Sequence, residues 1–362
     1  MENLAKIQCD LIPSNPGAEL GLEIWFDADK IFDSVITDSR HFEYRIDDDI
    51  DSEHELKFVL KNKTDQHTII DDAGNIVNDS VRGASLYLTT NTTNAELTDA
   101  NYLTAFNSNG FSLGSTNFTN GYTMVGWQWQ AGQGTTSSNT SGSITSTVSV
   151  NTTAGFSIVT YTGVGGAAQT VGHGLGAAPK FIILMPRSFV SDKYVYHTSI
   201  GAANNMAINL TAASAATTLW NSTSPTSSVF TVYGGGGNTN AATYVAYCFA
   251  EIAGFSKFGS YTGNASSDGP FVYCGFRPKF VMIKRTDAIE NWYIHDTSIS
   301  PYNVASARLV PNQSAAEVSD QNMDIISNGF KFRTTDGAIN SSGGTYIYAA
   351  FAETPFKYAR AR

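Results

Sequence analysis

Charge is scarce in this chain of 362 residues: Asp, Glu, Lys and Arg make up 15% of it, against roughly 25% in an average soluble domain. Helical surfaces need many charged side chains, so the shortage speaks against helix. It fits sheets whose polar surface is Ser, Thr, Asn and Gly. Residues 209–220 (NLTAASAATTLW) are the best candidate for one or two helical turns. Cysteine is scarcer still, with Cys9, Cys248 and Cys274 only. An odd count without close spacing argues against a disulfide framework and against a zinc site. Cys248, in the apolar run YVAYCFAE, reads as a small core residue. No window approaches the ~20 apolar residues of a membrane span, and no polybasic run suggests a membrane surface, so membrane insertion is not expected. The first residues, MENLAKIQCDLIPSNPG, do not read as a secretory signal, which predicts a soluble protein made in a cytoplasm, reaching the outside of a cell only by a route other than secretion, such as assembly on a virus particle released by lysis. Positive charge is outweighed, 22 basic against 32 acidic residues for a net −10. That field opposes a phosphate backbone, so no nucleic-acid partner is expected. Catalytic signatures are missing too. The GGGG at 234–237 lacks the Lys-Ser/Thr of a phosphate loop, and neither G-x-S-x-G nor H-E-x-x-H occurs.

What the chain has is repetition. GFSIVTYTG at Gly155 returns as GFSKFGSYTG at Gly254, and APKFIILMPR, ending at Arg187, returns as RPKFVMIKR, ending at Arg285. KYVYHTSI, with His197, returns as NWYIHDTSI, with His295, and ATYVAYCFAE, ending at Glu251, returns as GTYIYAAFAE, ending at Glu353. The offsets are 100 at the YTG glycines, 99 at Pro179 and Pro278, 98 at the histidines and 102 at the glutamates. Four blocks in one order at nearly constant offset are a duplication. A half copy lies upstream, where NGFSLGSTNFTNGYTMVGWQWQAG parallels the second half of the repeat and Phe111 corresponds to Phe230 and Phe330. The near-continuous apolar runs TYVAYCFAE and TYIYAAFAE suit strands covered on both faces. Short strands between Gly/Asn turns, at a period of about 100 residues, predict an all-β chain of tandem β-sandwich-like domains.

Residues 1–82 differ in composition, with IDDDIDSEHELKF and KNKTDQ, and LEIWF (22–26) and ELKFVL (55–60) predict strands of a separate β module. The expected division is 1–82 for that module, 83–153 for the half copy and a Ser/Thr/Asn-rich linker ending in a strand, 154–253 and 254–362 for the two repeats.

Candidate sites each have a plain alternative. Asp47, Asp49 and Asp51 belong to the densest carboxylate run. Calcium prefers such oxygens, but a solvated acidic turn has the same composition. His197 and His295, in equivalent repeat positions, and Trp292 and Tyr293 beside His295 are candidate glycan contacts, since a ring face stacks on the C–H face of a sugar. The alternative is a strand-end histidine with a structural hydrogen bond. Trp127 and Trp129 share one strand face and read as core by analogy with Tyr247 and Phe249. Glu251 and Glu353 end equivalent strands and read as architecture rather than as a glycosidase pair.

The stretch from Asp79 onward, with DSVRGASLYL, LTAFNSNGFSLG, HGLGAAPKFIIL, GFRPKFVMIKRTD, NWYIHD and GGTYIYAAFAETPF, resembles repeat domains of tail or virion proteins of marine and cyanobacterial phages. Residues 1–82, with LEIWFDADKIF and EHELKFVLKNK, more distantly resemble small β-sandwich modules that bind carbohydrate with calcium. The resemblance implies a virion structural protein and no enzyme: a tail-fibre or receptor-binding subunit, made in a host cytoplasm. Its partners would be other virion proteins, a host surface glycan or receptor, and further copies of itself, with a homo-trimer expected. A head fibre or capsid decoration protein is the alternative within that class, and a surface-polysaccharide depolymerase the alternative outside it.

Overall fold

The computed structural model describes residues 75–107, 110–114, 125–132 and 136–353 and, within residues 1–66, the backbone of five strands. The chain divides into two compact units, Met1–Gln66 and His67–Arg362. The first holds β1 (Ala5–Leu11), β2 (Leu20–Phe26), β3 (Asp29–Ile36), β4 (Arg40–Ile46) and β5 (Leu56–Asn62). β1 pairs with β4, and β2 lies between β3 and β5, all antiparallel. The runs LEIWF and ELKFVL thus become β2 and β5.

The second unit opens with β6 (Ile76–Asp79), β7 (Gly83–Thr89) and β8 (Leu97–Thr98), one antiparallel sheet. Arg82, where composition suggested a boundary, sits in the turn of the β6–β7 hairpin. The break between units falls earlier, after Gln66. The reason is local: the Asp79 carboxylate accepts the backbone N–H of Val81 and Arg82 and closes that turn. β9 (Leu103–Asn107) and β10 (Gly110–Leu113) form a second hairpin. The Ser/Thr/Asn-rich stretch becomes β11 (Ser137–Asn139) and β12 (Ser146–Asn151), so its second half is a strand as expected.

Next come β13 (Phe156–Thr162), β14 (Gln169–Gly172), β15 (Phe181–Pro186), β16 (Tyr194–His197), β17 (Asn204–Ala207), β18 (Ala215–Ala216), β19 (Val229–Val232) and β20 (Thr243–Phe249). They are followed by β21 (Ser256–Thr262), β22 (Phe271–Tyr273), β23 (Pro278–Arg285), β24 (Trp292–Asp296), β25 (Ala305–Arg308), β26 (Val318–Ile326), β27 (Gly329–Phe332), the four-residue helix α1 (Gly337–Asn340) and β28 (Thr345–Ala352). The result is an all-β fold of several open sheets. Residues 209–220 are no helix: they hold β18 and turns, because Ala215 and Ala216 pair with Asn205 and Asn204. The order β13-β20-β15-β16 recurs as β21-β28-β23-β24, and the pair β14-β19 recurs as β22-β27.

Period-two alternation explains the central strands. In β20, Tyr244, Ala246 and Cys248 face a core shared with Val171, Phe230 and Val232. Val245, Tyr247 and Phe249 face the other way, into a second core. β28 repeats this, with Tyr346, Tyr348 and Ala350 toward Val272, Phe330 and Phe332, and Ile347, Ala349 and Phe351 into that same second core. The backs of the two sheets therefore meet each other. Phe249 lies 5.7 Å from Phe351, and Phe181 stacks on Phe258 at 5.9 Å. Each such aromatic contributes about 2–3 kcal/mol by leaving water. β20 and β28 are thus covered on both faces, and Cys248 is a core residue.

Candidate functional site

All four candidate glycan contacts lie inside the protein. Trp292 and His197 are 1% exposed, Tyr293 3% and His295 0%. No sugar in solution reaches their ring faces, and this corrects the expectation for them. The Trp292 indole N–H donates to the Ala207 carbonyl at 2.9 Å, and Tyr293 O–H donates to Glu290 at 2.7 Å. Both rings complete cores.

The two histidines are not equivalent either. Phe181 pairs with His197, whereas its counterpart Phe280 pairs with Asp296. His197 Nδ1 accepts from Ser199 N–H as Asp296 accepts from Ser298 N–H. His295 therefore corresponds to Tyr196, one residue away and on the opposite sheet face. Burial pushes the pKa of each histidine down to about 4, helped at His295 by the Arg308 guanidinium. His197 Nε2 donates to the Tyr348 carbonyl at 3.1 Å, a structural role. Asp47, Asp49 and Asp51 lie outside the described residues. Among the described residues no group of three or more His, Cys, Asp or Glu is placed to hold a metal ion. Trp127 and Trp129 are half-buried and pack against the core as expected, although residues 125–130 form no strand. Both pack edge-on against Phe280, and Trp129 also meets Phe249 and Phe351.

Exposed aromatics lie elsewhere, at Phe106, Tyr233, Tyr302 and, as a pair on one strand, on β22. Phe271 is 46% and Tyr273 62% exposed, while Val272 between them is buried. Alternation puts both rings on the outer face of the β22-β27-β26-β25 sheet. Strand register sets Phe271 beside Lys331 and then Asp324, and Tyr273 beside Gly329 and then Ile326. At Gly329 a Cβ would meet the Val272 carbonyl and come within 3.1 Å of the Phe271 ring. Glycine thus lets β22 and β27 approach closely beneath the aromatic pair. Charges border it: Lys331 pairs with Asp268 at 2.6 Å, and Arg333 with Asp324 at 2.6 Å. Asp268 is held below the usual carboxylate range by its hydrogen bond from Lys331 and by that charge.

The same place in the first copy is closed. The counterpart of β22 is β14, and residues 139–146 lie along it. Ile144 bridges Val171, Ser143 N–H donates to Thr170 Oγ1 at 2.9 Å, and Ser146 O–H donates to the Gly172 carbonyl at 2.7 Å. β22 has no such cover among the described residues; β27 is its one sheet neighbour.

A second feature is a cavity of ≈ 540 Å³ where residues 75–107, 110–114 and 125–131 meet the backs of the two sheets. Its floor is aromatic and sulfur-containing, with Phe249, Phe280, Phe351 and Met185, and Trp127 and Trp129 stand in its wall. A dry void of that size would cost on the order of 10 kcal/mol, comparable to the whole stability of a domain. Water gains little against walls with few polar partners. The volume is that of a small-molecule pocket.

One wall carries a buried charge network. Arg82 pairs with Asp79 through Nε and with Glu96 at 2.8 Å, and donates to Tyr247 Oη at 3.0 Å and to the Val77 carbonyl at 2.9 Å. Tyr247 O–H donates to Asp79 at 2.7 Å, and Glu96 also pairs with Arg187 at 2.8 Å. Burial disfavours the Arg82 charge, yet Tyr247, Asp79 and Glu96 more than offset it and raise its pKa. Burial likewise opposes the Glu96 charge, but Arg187 and Arg82 hold its pKa below the ordinary value. The network ties β6, β8 and β15 to β20. The buried amines of Lys193 and Lys284 donate to loop carbonyls, of Asn94 and of Thr211 and Arg285 respectively. Burial lowers both to about 8.

A family model described as a domain of unknown function (DUF7483) matches residues 60–355. No curated protein and no solved structure matches the chain.

Proposed function

The chain belongs to the DUF7483 family, whose description names no activity, and from its geometry we propose that it is a non-catalytic attachment protein of a phage particle, built from two tandem β-sandwich repeats of about 100 residues. The observation that carries the attachment reading is the solvent-facing Phe271–Tyr273 pair, set on a braced sheet beside a row of paired charges. Aromatic faces next to polar groups are the chemistry that grips a sugar ring, and a rigid platform lowers the entropy lost on binding. The glycan contacts are therefore assigned to Phe271 and Tyr273.

The sandwich-repeat reading is supported by matched details. Tyr161 stacks on Tyr244 at 4.9 Å, as Tyr261 does on Tyr346 at 4.8 Å. Asn238 and Asn340 each bind three backbone groups in equivalent loops. The virion setting rests on the resemblance of residues 79–362 to phage tail and virion repeat domains, with a tail fibre preferred to a head fibre or capsid decoration protein. A homo-trimer would multiply weak sugar contacts by avidity. Host surface polysaccharide immobilised on a sensor, with wild type, F271A and Y273A passed over it, tests the proposal. Each substitution is expected to weaken binding at least about ten-fold, the loss of roughly 1.4 kcal/mol, with no new reducing ends from any of the three proteins. Binding unchanged in both variants, or released reducing ends, would sink it.

A further inference from the structure

We propose that the cavity beneath Trp127 and Trp129 is a binding site for an uncharged, hydrocarbon-rich small molecule, of which the acyl or alkyl chain of a neutral lipid is the fitting class. This goes beyond the attachment reading and does not rest on it.

Size comes first. At the roughly 30 Å³ that one water occupies in the liquid, ≈ 540 Å³ holds about eighteen water-sized units, or about as many chain carbons. The walls come second. Aromatic rings from both sheet backs and the flexible thioethers of Met185 and Met282 line the space, a surface that adapts to a bent chain. Charge comes third and fixes the ligand's neutrality. Among the described residues Asp79 is the one charged side chain in the lining, and it already holds Arg82 and Tyr247. No Lys, Arg or His among the described lining residues meets a carboxylate or phosphate, and a second anion beside Asp79 would be repelled. Access comes last. Phe106 and Leu113, both 42% exposed, stand at the rim with the exposed Gln128. The chain would enter there and leave an alcohol, ester or amide head in water.

The test uses the full chain and the neutral dye Nile red, followed by fluorescence, with hexadecanol and palmitate as competitors at about pH 8, where palmitate is ionised. Nile red is expected to bind and brighten. Hexadecanol should displace it, and palmitate should do so at least about ten-fold less well. Two variants narrow the space from opposite walls. Val125→Trp acts at a partly buried rim position and Ile183→Phe on β15, both being lining residues. Each is expected to lose about ten-fold in dye affinity while keeping the wild-type far-ultraviolet spectrum. If one fails to fold, the other carries the test, and the competition on the wild-type protein decides in either case. Dye that fails to bind the wild type, that hexadecanol does not displace, or that folded variants bind undiminished would overturn the site. Equal displacement by palmitate would overturn its neutrality.

Discussion

Buried charge is stabilising only while every partner stays in place, and Arg82 has four. Its guanidinium reaches Asp79, Glu96, Tyr247 and the Val77 carbonyl, so Arg82→Ala leaves Asp79 a buried carboxylate without its cation and takes one partner each from Glu96, Tyr247 and Val77. The expected loss is about 3–5 kcal/mol in urea denaturation. Arg308→Ala breaks a pair whose Asp320 side is 45% exposed and should cost about 0–1 kcal/mol. Acid acts at the same scale. His197 and His295 are held near 4 against an unfolded value of about 6.5. Between those values the unfolded chain binds protons that the folded chain refuses. Stability is therefore fully present above about pH 6.5 and drops as the pH falls toward 4. The urea midpoint is expected to fall across that window, and His295→Gln to flatten the fall. A midpoint indifferent to pH between those values would contradict the assignment. The burial of these histidines was not legible from composition. Only the His letter recurs at an offset of 98; the TSI after it recurs at 99, the register that the sheet uses. One residue of slip turns a side chain to the other face.

At the scale of elements, turns as well as strands repeat. Asn238 and Asn340 are 2% and 0% exposed. Asn238 accepts from Val164 N–H and donates to the carbonyls of Gly165 and Ala167. Asn340 accepts from Asn264 N–H and donates to those of Ser266 and Thr334. Truncating either to Ala leaves buried backbone groups unpaired, at about 1–3 kcal/mol. The two costs should agree within about 1 kcal/mol if the copies share one architecture, and chemical denaturation of N238A and N340A measures this. The strands β15, β20, β23 and β28 were legible as apolar runs after a proline or before a glutamate. α1 was not, because a four-residue helix capped by Asp336 is set by its loop rather than by periodicity. Nor were Phe271 and Tyr273. An F-V-Y triplet reads as core in sequence, and its exposure follows from the lack of any segment doing for β22 what residues 139–146 do for β14.

For the whole molecule, the decisive contact is back to back. Phe156, Phe181 and Phe249 of one sheet share a core with Phe258, Phe280 and Phe351 of the other. Neither sheet has a solvent-ready outer surface without its partner, so residues 67–362 should unfold in a single calorimetric transition. Two separated transitions would mean that the seam contributes little. The sequence announced the duplication but not this seam, since a period counts copies without saying which faces meet. The cavity was equally hidden, as its walls come from positions between 75 and 351. The difference between β14 and β22 gives the protein a handedness of approach. One flank is already zipped shut by its own chain, and the other, among the described residues, leaves a rim of backbone donors and acceptors without a strand beside it. Were two molecules to join rim to rim at β22, that contact would be used up within the pair, and growth through it would halt there.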